Sequence, residues 1–206
     1  MTQRLQMYDV VRRVRRPAAG HRRLFGDGGR ALAALLIGAA MLTGAPERAS
    51  AASVTVVALG TSNTYGYGVA RGQTYPAQLQ TMLKARGVDA LVINAGVNGD
   101  SSAGMLARLN SAVPDGTRLV IVETYSGNER RNHVASHTHE NLAAIKSRLK
   151  ARDINTIDIS RTMTSAVHRA GSGSETKLRH GHLTAAGYAQ LVSSLVPQVA
   201  AALGKR

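Results

Sequence analysis

The sequence predicts one α/β domain, a three-layer arrangement of a parallel sheet flanked by helices, behind an export leader. Three observations carry that expectation. Short β-branched segments alternate with segments of helical periodicity along residues 53 to 206. The strand segments are nearly continuously apolar, as strands covered on both faces are. The chain of 206 residues is 44% hydrophobic and has no cysteine, so a single core holds it without disulfides or thiolate metal sites.

Residues 1 to 52 read as a signal peptide. An apolar run from Ala31 to about Ala45 is followed by Pro46 and the small-residue pattern Ala49-Ser50-Ala51. The run is short for a bilayer span and is placed like a signal's hydrophobic region before its cleavage site. Arg22-Arg23 with Phe25 stand ahead of it in the arrangement of a twin-arginine signal, although Arg12-Arg13 and Arg15-Arg16 make the whole region arginine-rich, as Sec signals also are. The expected location is periplasmic or secreted, with the mature domain spanning 53 to 206 and having no stable membrane insertion.

The mature elements follow in order. "SVTVVAL" (53–59) is a strand, and "YPAQLQTMLKARG" (75–87) is a helix stopped by Gly87. "ALVINAG" (90–96) and "TRLVIVETY" (117–125) are strands, separated by a helix over "SAGMLARLNSAV" (102–113). A third helix covers 136–153, where Leu142, Ile145 and Leu149 recur at three and four, and "INTIDI" (154–159) is the fourth strand. The last helix follows "HLT" at 182–184, with Pro197 expected to kink or interrupt it. Residues 169–181 form a glycine- and serine-rich loop.

In such sheets, ligand-binding loops gather beyond the carboxyl ends of the strands. Gly60-Thr61-Ser62-Asn63 follows the first strand, "NAGVNGDSSAG" (94–104) the second and "ETYSGNERR" (123–131) the third, while His180 and His182 precede the last helix. They offer a hydroxyl, backbone donors, an amide donor and an imidazole. That is the set acyl transfer needs: a nucleophile, an oxyanion site and a base. Taken singly, each residue is equally at home in a turn or a cap.

Together, "VVALGTSNTYGYGV", "VINAGVNGDSSAGMLARL", "SGNERR" and "HLTAAGY" resemble the four blocks of the SGNH (GDSL-type) hydrolase family, over roughly Val54 to Leu203. The resemblance implies a flavodoxin-like sheet and a serine esterase acting through an acyl-enzyme on small esters, without metal or organic cofactor. It implies Ser62 as nucleophile, His182 as general base, and the Gly99 N–H and Asn128 side chain as oxyanion donors, with the Ser62 N–H beside them.

Three positions depart from the family pattern. Thr61 stands where Asp usually precedes the nucleophile, Glu129 where Asp commonly follows Asn, and Arg179 where an aspartate three residues before the histidine orients the imidazole. Three arrangements answer the last departure: a backbone carbonyl orients His182; Glu175 or Asp158 substitutes; or the site has lost turnover and binds an acylated or saccharide ligand instead.

Other features carry less. The net charge of +14 divides into +6 on residues 1 to 52 and +8 spread over the remainder, and aromatic content is 3% without tryptophan, so no nucleic-acid partner is expected. His133, His137 and His139 lack a third-ligand pattern and read as a solvated helix start. Arg130-Arg131 reads as an exposed charge pair or a grip on an anionic headgroup. Tyr65 and Tyr67 line an acyl pocket or pack on the neighbouring helix, and Asp100 is placed to cap the helix near Ser102.

Overall fold

The computed structural model describes residues 53–170 and 181–204. Four parallel strands, β1 (Val54–Gly60), β2 (Ala90–Gly96), β3 (Thr117–Val122) and β4 (Asn155–Asp158), lie in the order β2-β1-β3-β4. Val57 pairs with Ile93 on one side and with Val120 on the other, so β1 and β3 are central. Side chains alternate between faces along a strand, and here both faces are covered. Val56, Ala58, Leu119 and Ile121 belong to one buried cluster, and Val57, Leu59, Val120 and Val122 to the other. The unbroken apolar runs are therefore the signature of a sandwiched sheet.

The first cluster is closed by α2 (Tyr75–Ala85), α7 (Ser160–Arg169) and α8 (Ala185–Gly204), through Tyr75, Leu79, Met163, Tyr188, Leu191 and Leu195. The second is closed by α3 (Ser102–Ala107), α4 (Leu109–Ala112) and α6 (Thr138–Ala151), through Met105, Leu109, Ile145 and Leu149. Burying each such side chain contributes about 1.5–3 kcal/mol before conformational entropy is subtracted. The remaining helices, α1 (Ser62–Tyr65) and α5 (Ser126–Arg131), are short and sit at the carboxyl ends of β1 and β3. Among the described residues no helix is long and apolar enough to cross a membrane.

Four details differ from the sequence expectations. The helix over 102–113 is broken at Arg108 into α3 and α4. Its cap is Ser101, whose hydroxyl accepts from the Gly104 N–H at 3.3 Å, while Asp100 binds the Ser101 N–H and Arg108. Residues 160–169, given no element from sequence, form α7. Pro197 lies inside an uninterrupted α8; the carbonyl its missing N–H would have reached is that of Ser193, a residue on the exposed face.

Candidate active site

Ser62 occupies the first position of α1, immediately beyond Gly60 and Thr61, and is 5% exposed. Its Oγ lies 2.9 Å from His182 Nε2, a contact made across 120 residues of chain. The Tyr67 ring packs on the imidazole with centroids 5.1 Å apart. Tyr67 is thus a wall of the site, while Tyr65, half exposed, lines a separate cavity of about 230 Å³ with Val69, Arg71 and Asn94.

A buried carboxylate sets the ledge on which Ser62 stands. Glu123 follows β3 directly, is 0% exposed, and accepts from the Thr61 N–H at 2.9 Å, the Thr61 hydroxyl at 3.0 Å and the Thr64 hydroxyl at 2.9 Å. Gly60 leaves room for this: a Cβ there would meet Thr64 Oγ1 and Glu123 Oε2. Thr61 therefore anchors the turn by donating both of its protons to β3. Burial pushes the Glu123 carboxyl up, and the Thr61 and Thr64 donors pull it part of the way back. The phenols of Tyr75 and Tyr188 are raised by burial and by the charge of Glu123.

A carboxyl raised in the native state binds its proton more tightly there than in the unfolded chain, whose value is about 4.3. Its contribution to stability is full below that value and is lost as pH rises through the native one. Glu123→Gln is therefore expected to unfold at a temperature that gains on the parent as pH is raised from about 4 to 7. Glu123→Leu is expected to lose about 1–3 kcal/mol for each donor it strands. Thermal unfolding of the three proteins across that pH range decides the matter; parallel curves for parent and Glu123→Gln would refute it.

The second loop is fastened to the same ledge. Val97 N–H donates to Gly60 O at 3.0 Å, and Arg108 bridges Gly60 O at 3.2 Å and Asp100 at 2.8 Å. Gly99 adopts φ +78°, a left-handed conformation that favours glycine. Its carbonyl accepts from Asn132 Nδ2 at 3.1 Å, and Asn132 in turn binds the Asn128 carbonyl at 2.9 Å, so the loop and α5 are tied together. Among the described residues no group accepts from the Ser62 or Gly99 N–H.

Asn128, 3% exposed on α5, has its Oδ1 against Arg131 Nη1 at 3.2 Å, while its buried Nδ2 has no partner among the described residues. Arginine is donor-only, so the atom facing it is the oxygen and the NH₂ is left pointing elsewhere. A buried, unpartnered donor is costly unless a ligand completes it. Glu129, also buried, binds the Ser102 N–H and hydroxyl at 2.7 Å and the Thr138 hydroxyl at 2.9 Å, bracing α5 against α3 and α6.

Asp158 makes no hydrogen bond to His182; its carboxylate is held by Lys146 at 2.9 Å and by Ser160 at 2.6 Å, and these partners lower it, although burial, the largest influence, acts the other way. It is therefore not the acid that orients the imidazole. Glu175, Arg179 and His180 lie outside the described residues. No cluster of three metal-ligating side chains occurs among the described residues; His137 contacts Glu140 at 3.0 Å on the surface. Sequence reasoning missed Glu123 and the division of labour between Arg130 and Arg131. A lone acid ending a buried apolar strand was the available signal for the first.

Fold and site define a class: an α/β protein with a serine–histidine pair at the carboxyl edge of a parallel sheet. Residues 58–169 match the GDSL-like Lipase/Acylhydrolase family, and the chain belongs to it. Over 102 residues it is 32% identical to the esterase TesA of Pseudomonas aeruginosa, a match covering 49% of this chain and 51% of that protein. The match thus spans about half the length of that relative. A crystal structure of TesA shares the fold, with a TM-score of 0.62 and 22% identity over 72% of this chain and 99% of the other. The structure of AlinE4, an SGNH-hydrolase family esterase, gives a TM-score of 0.51 and 27% identity over 74% and 98%.

Proposed function

We propose that the protein is an exported carboxylic ester hydrolase in which Ser62 is the nucleophile and His182 its base. The observation that carries this reading is the 2.9 Å approach of Ser62 Oγ to His182 Nε2. Ser62 Oγ attacks the ester carbonyl carbon as its proton passes to Nε2, and the carbonyl oxygen becomes an oxyanion. The N–H groups of Ser62 and Gly99 and the Asn128 Nδ2 donate to that oxyanion. Collapse expels the alcohol, which takes the proton from Nε2. Water then attacks the acyl-enzyme with His182 again as base, releasing the carboxylic acid and restoring Ser62. With Nε2 turned to Ser62, the proton of the neutral ring resides on Nδ1.

The test is hydrolysis of p-nitrophenyl acetate and butyrate by the purified protein, with a fluorophosphonate probe and peptide mapping of the labelled residue. Turnover with the label on Ser62 is expected. An unlabelled Ser62 in a protein without turnover would overturn the assignment.

Export rests on the leader pattern of residues 1 to 52, which lie outside the described residues. Replacing Arg22-Arg23 by Lys-Lys is expected to block delivery through the twin-arginine route. Unchanged export of that variant would place the protein on the Sec route.

A further inference from the structure

Beyond α5, along the same edge of the sheet, lies a cleft of about 520 Å³ between the ends of β3 and β4, walled by α5 and α7. Two arginines line it, Arg130 from α5 and Arg161 from α7, together with Ser126, Thr164 and Ser165. Both arginines are exposed, and neither side chain makes a hydrogen bond or ion pair among the described residues. The contrast with Arg108, Arg131 and Arg152 is plain, since each of those is spent on an internal acceptor.

Two acids lie nearby, and neither pairs with an arginine of the cleft. Glu129 contributes to the wall, but it is 2% exposed and its oxygens are taken by Ser102 and Thr138. Asp158, at the foot of α7, is engaged by Lys146 and Ser160. What faces the cleft's opening is therefore cationic and rich in donors, the chemistry that recognises carboxylate or phosphate oxygens.

Its position ties it to Ser62. Neighbouring strands are about 4.8 Å apart, and only β3 separates β1 from β4. The cleft floor is then one or two strand spacings, roughly 5–10 Å, from the end of β1 that carries Ser62. A substrate that reaches from Ser62 into the cleft spans that distance and passes alongside α5, whose width with side chains is about 10 Å. Helix α5 itself joins the two regions: successive residues turn by about 100°, so Asn128 and Arg130 project to nearly opposite sides of it. One side bears the candidate oxyanion donor and the other the cleft arginine.

We propose that this cleft is an anion subsite, in which Arg130 and Arg161 hold a carboxylate or phosphate carried by the ester substrate. The proposal rests on the hydrolase reading above and narrows its substrates to esters bearing an acidic group. The opposite cavity, with Tyr65, Val69 and a single arginine, Arg71, has no such paired cations.

The experiment compares matched esters on the full protein. The mono-p-nitrophenyl ester of glutaric acid is set against p-nitrophenyl butyrate for an acyl-side carboxylate, and 4-carboxyphenyl acetate against phenyl acetate for an alcohol-side one. Inorganic phosphate is titrated as an inhibitor. The parent is expected to favour one anionic ester over its neutral partner by about tenfold to a hundredfold in kcat/KM, the range of charge-assisted hydrogen bonds. The double variant Arg130→Gln/Arg161→Gln is expected to bring that ratio to about one, chiefly through a higher KM. Phosphate inhibition of the parent that the double variant abolishes would extend the site to phosphorylated esters. Ser62-dependent turnover of neutral esters with no anionic preference, or a preference that survives the double variant, would overturn the subsite and leave the hydrolase reading standing. If no ester is turned over, the hydrolase reading fails separately, and calorimetric binding of glutarate decides the subsite: binding lost in the double variant supports it, and no binding by the parent refutes it.

Discussion

Alanine at Ser62 is expected to abolish ester hydrolysis, alanine at His182 to come close to doing so, and the double variant to be no slower than the worse single one. The magnitude, about 10⁴–10⁶ in kcat, follows from groups that act as one unit: removing either disables the covalent route, and removing both takes away nothing more. The Ser62 hydroxyl and the His182 ring face each other at 2.9 Å, the geometry of a nucleophile and its base. Ser62→Ala removes one oxygen from a site 5% exposed and leaves the Glu123 ledge below it intact, so the variant folds. The measurement is single-turnover and steady-state hydrolysis of p-nitrophenyl butyrate by the three variants, with circular dichroism as a check of the fold. Losses that multiply, or a Ser62→Ala protein within tenfold of the parent, would show that the two side chains do not share one reaction.

Much of this architecture was legible in the sequence because its strongest signals are local. The buried positions of the runs at 54–60 and 117–122 are apolar or glycine except for Thr117, and short β-branched runs between helical patterns read as covered strands. The four strands, the helices at 75–85 and 138–151, and the long terminal helix follow from such patterns. Helix α7 did not, since Met163 is its one fully buried residue and polar residues outnumber Ala166 and Val167 in the rest. Its place is fixed by packing against the cluster beneath it, which no local pattern announces.

The site divides in the same way. The loops carrying Ser62, Gly99, Asn128 and His182 are found by their position after strands and by family likeness, but what supports them is not. Glu123 looks like an ordinary residue leaving a strand until the register places it beside Gly60, with the Glu123 N–H bound to Leu59 O at 2.9 Å. Arg130 and Arg131 are indistinguishable as text. The helical spacing of three from Asn128 sends Arg131 to the carboxamide, and the spacing of two turns Arg130 to the other side of α5, at the cleft. Long-range contacts decide these roles, and composition carries no record of them.

Replacing Asn128 by aspartate or alanine is expected to lower kcat by about 10²–10³ with KM little changed, the loss seen when one oxyanion donor is removed. The charge on the carbonyl oxygen develops only as the tetrahedral species forms, so a donor aimed at it acts on the transition state and not on substrate binding. Aspartate is nearly isosteric yet has no N–H to give, which separates loss of the donor from loss of shape. The same variants carry a second signature. Among the described residues Asn128 Nδ2 is buried without a partner, and such a donor costs stability where nothing completes it. Removing it relieves that cost, so Asn128→Ala is expected to melt no lower than the parent although an Arg131 contact is lost. Arg131→Leu tests the orientation separately: without a donor against Oδ1 the carboxamide is free to turn, and kcat is expected to fall by about tenfold. Should Asn128→Asp keep kcat while raising KM, the amide would be a substrate contact and the oxyanion would have to be held by the Ser62 and Gly99 N–H groups alone.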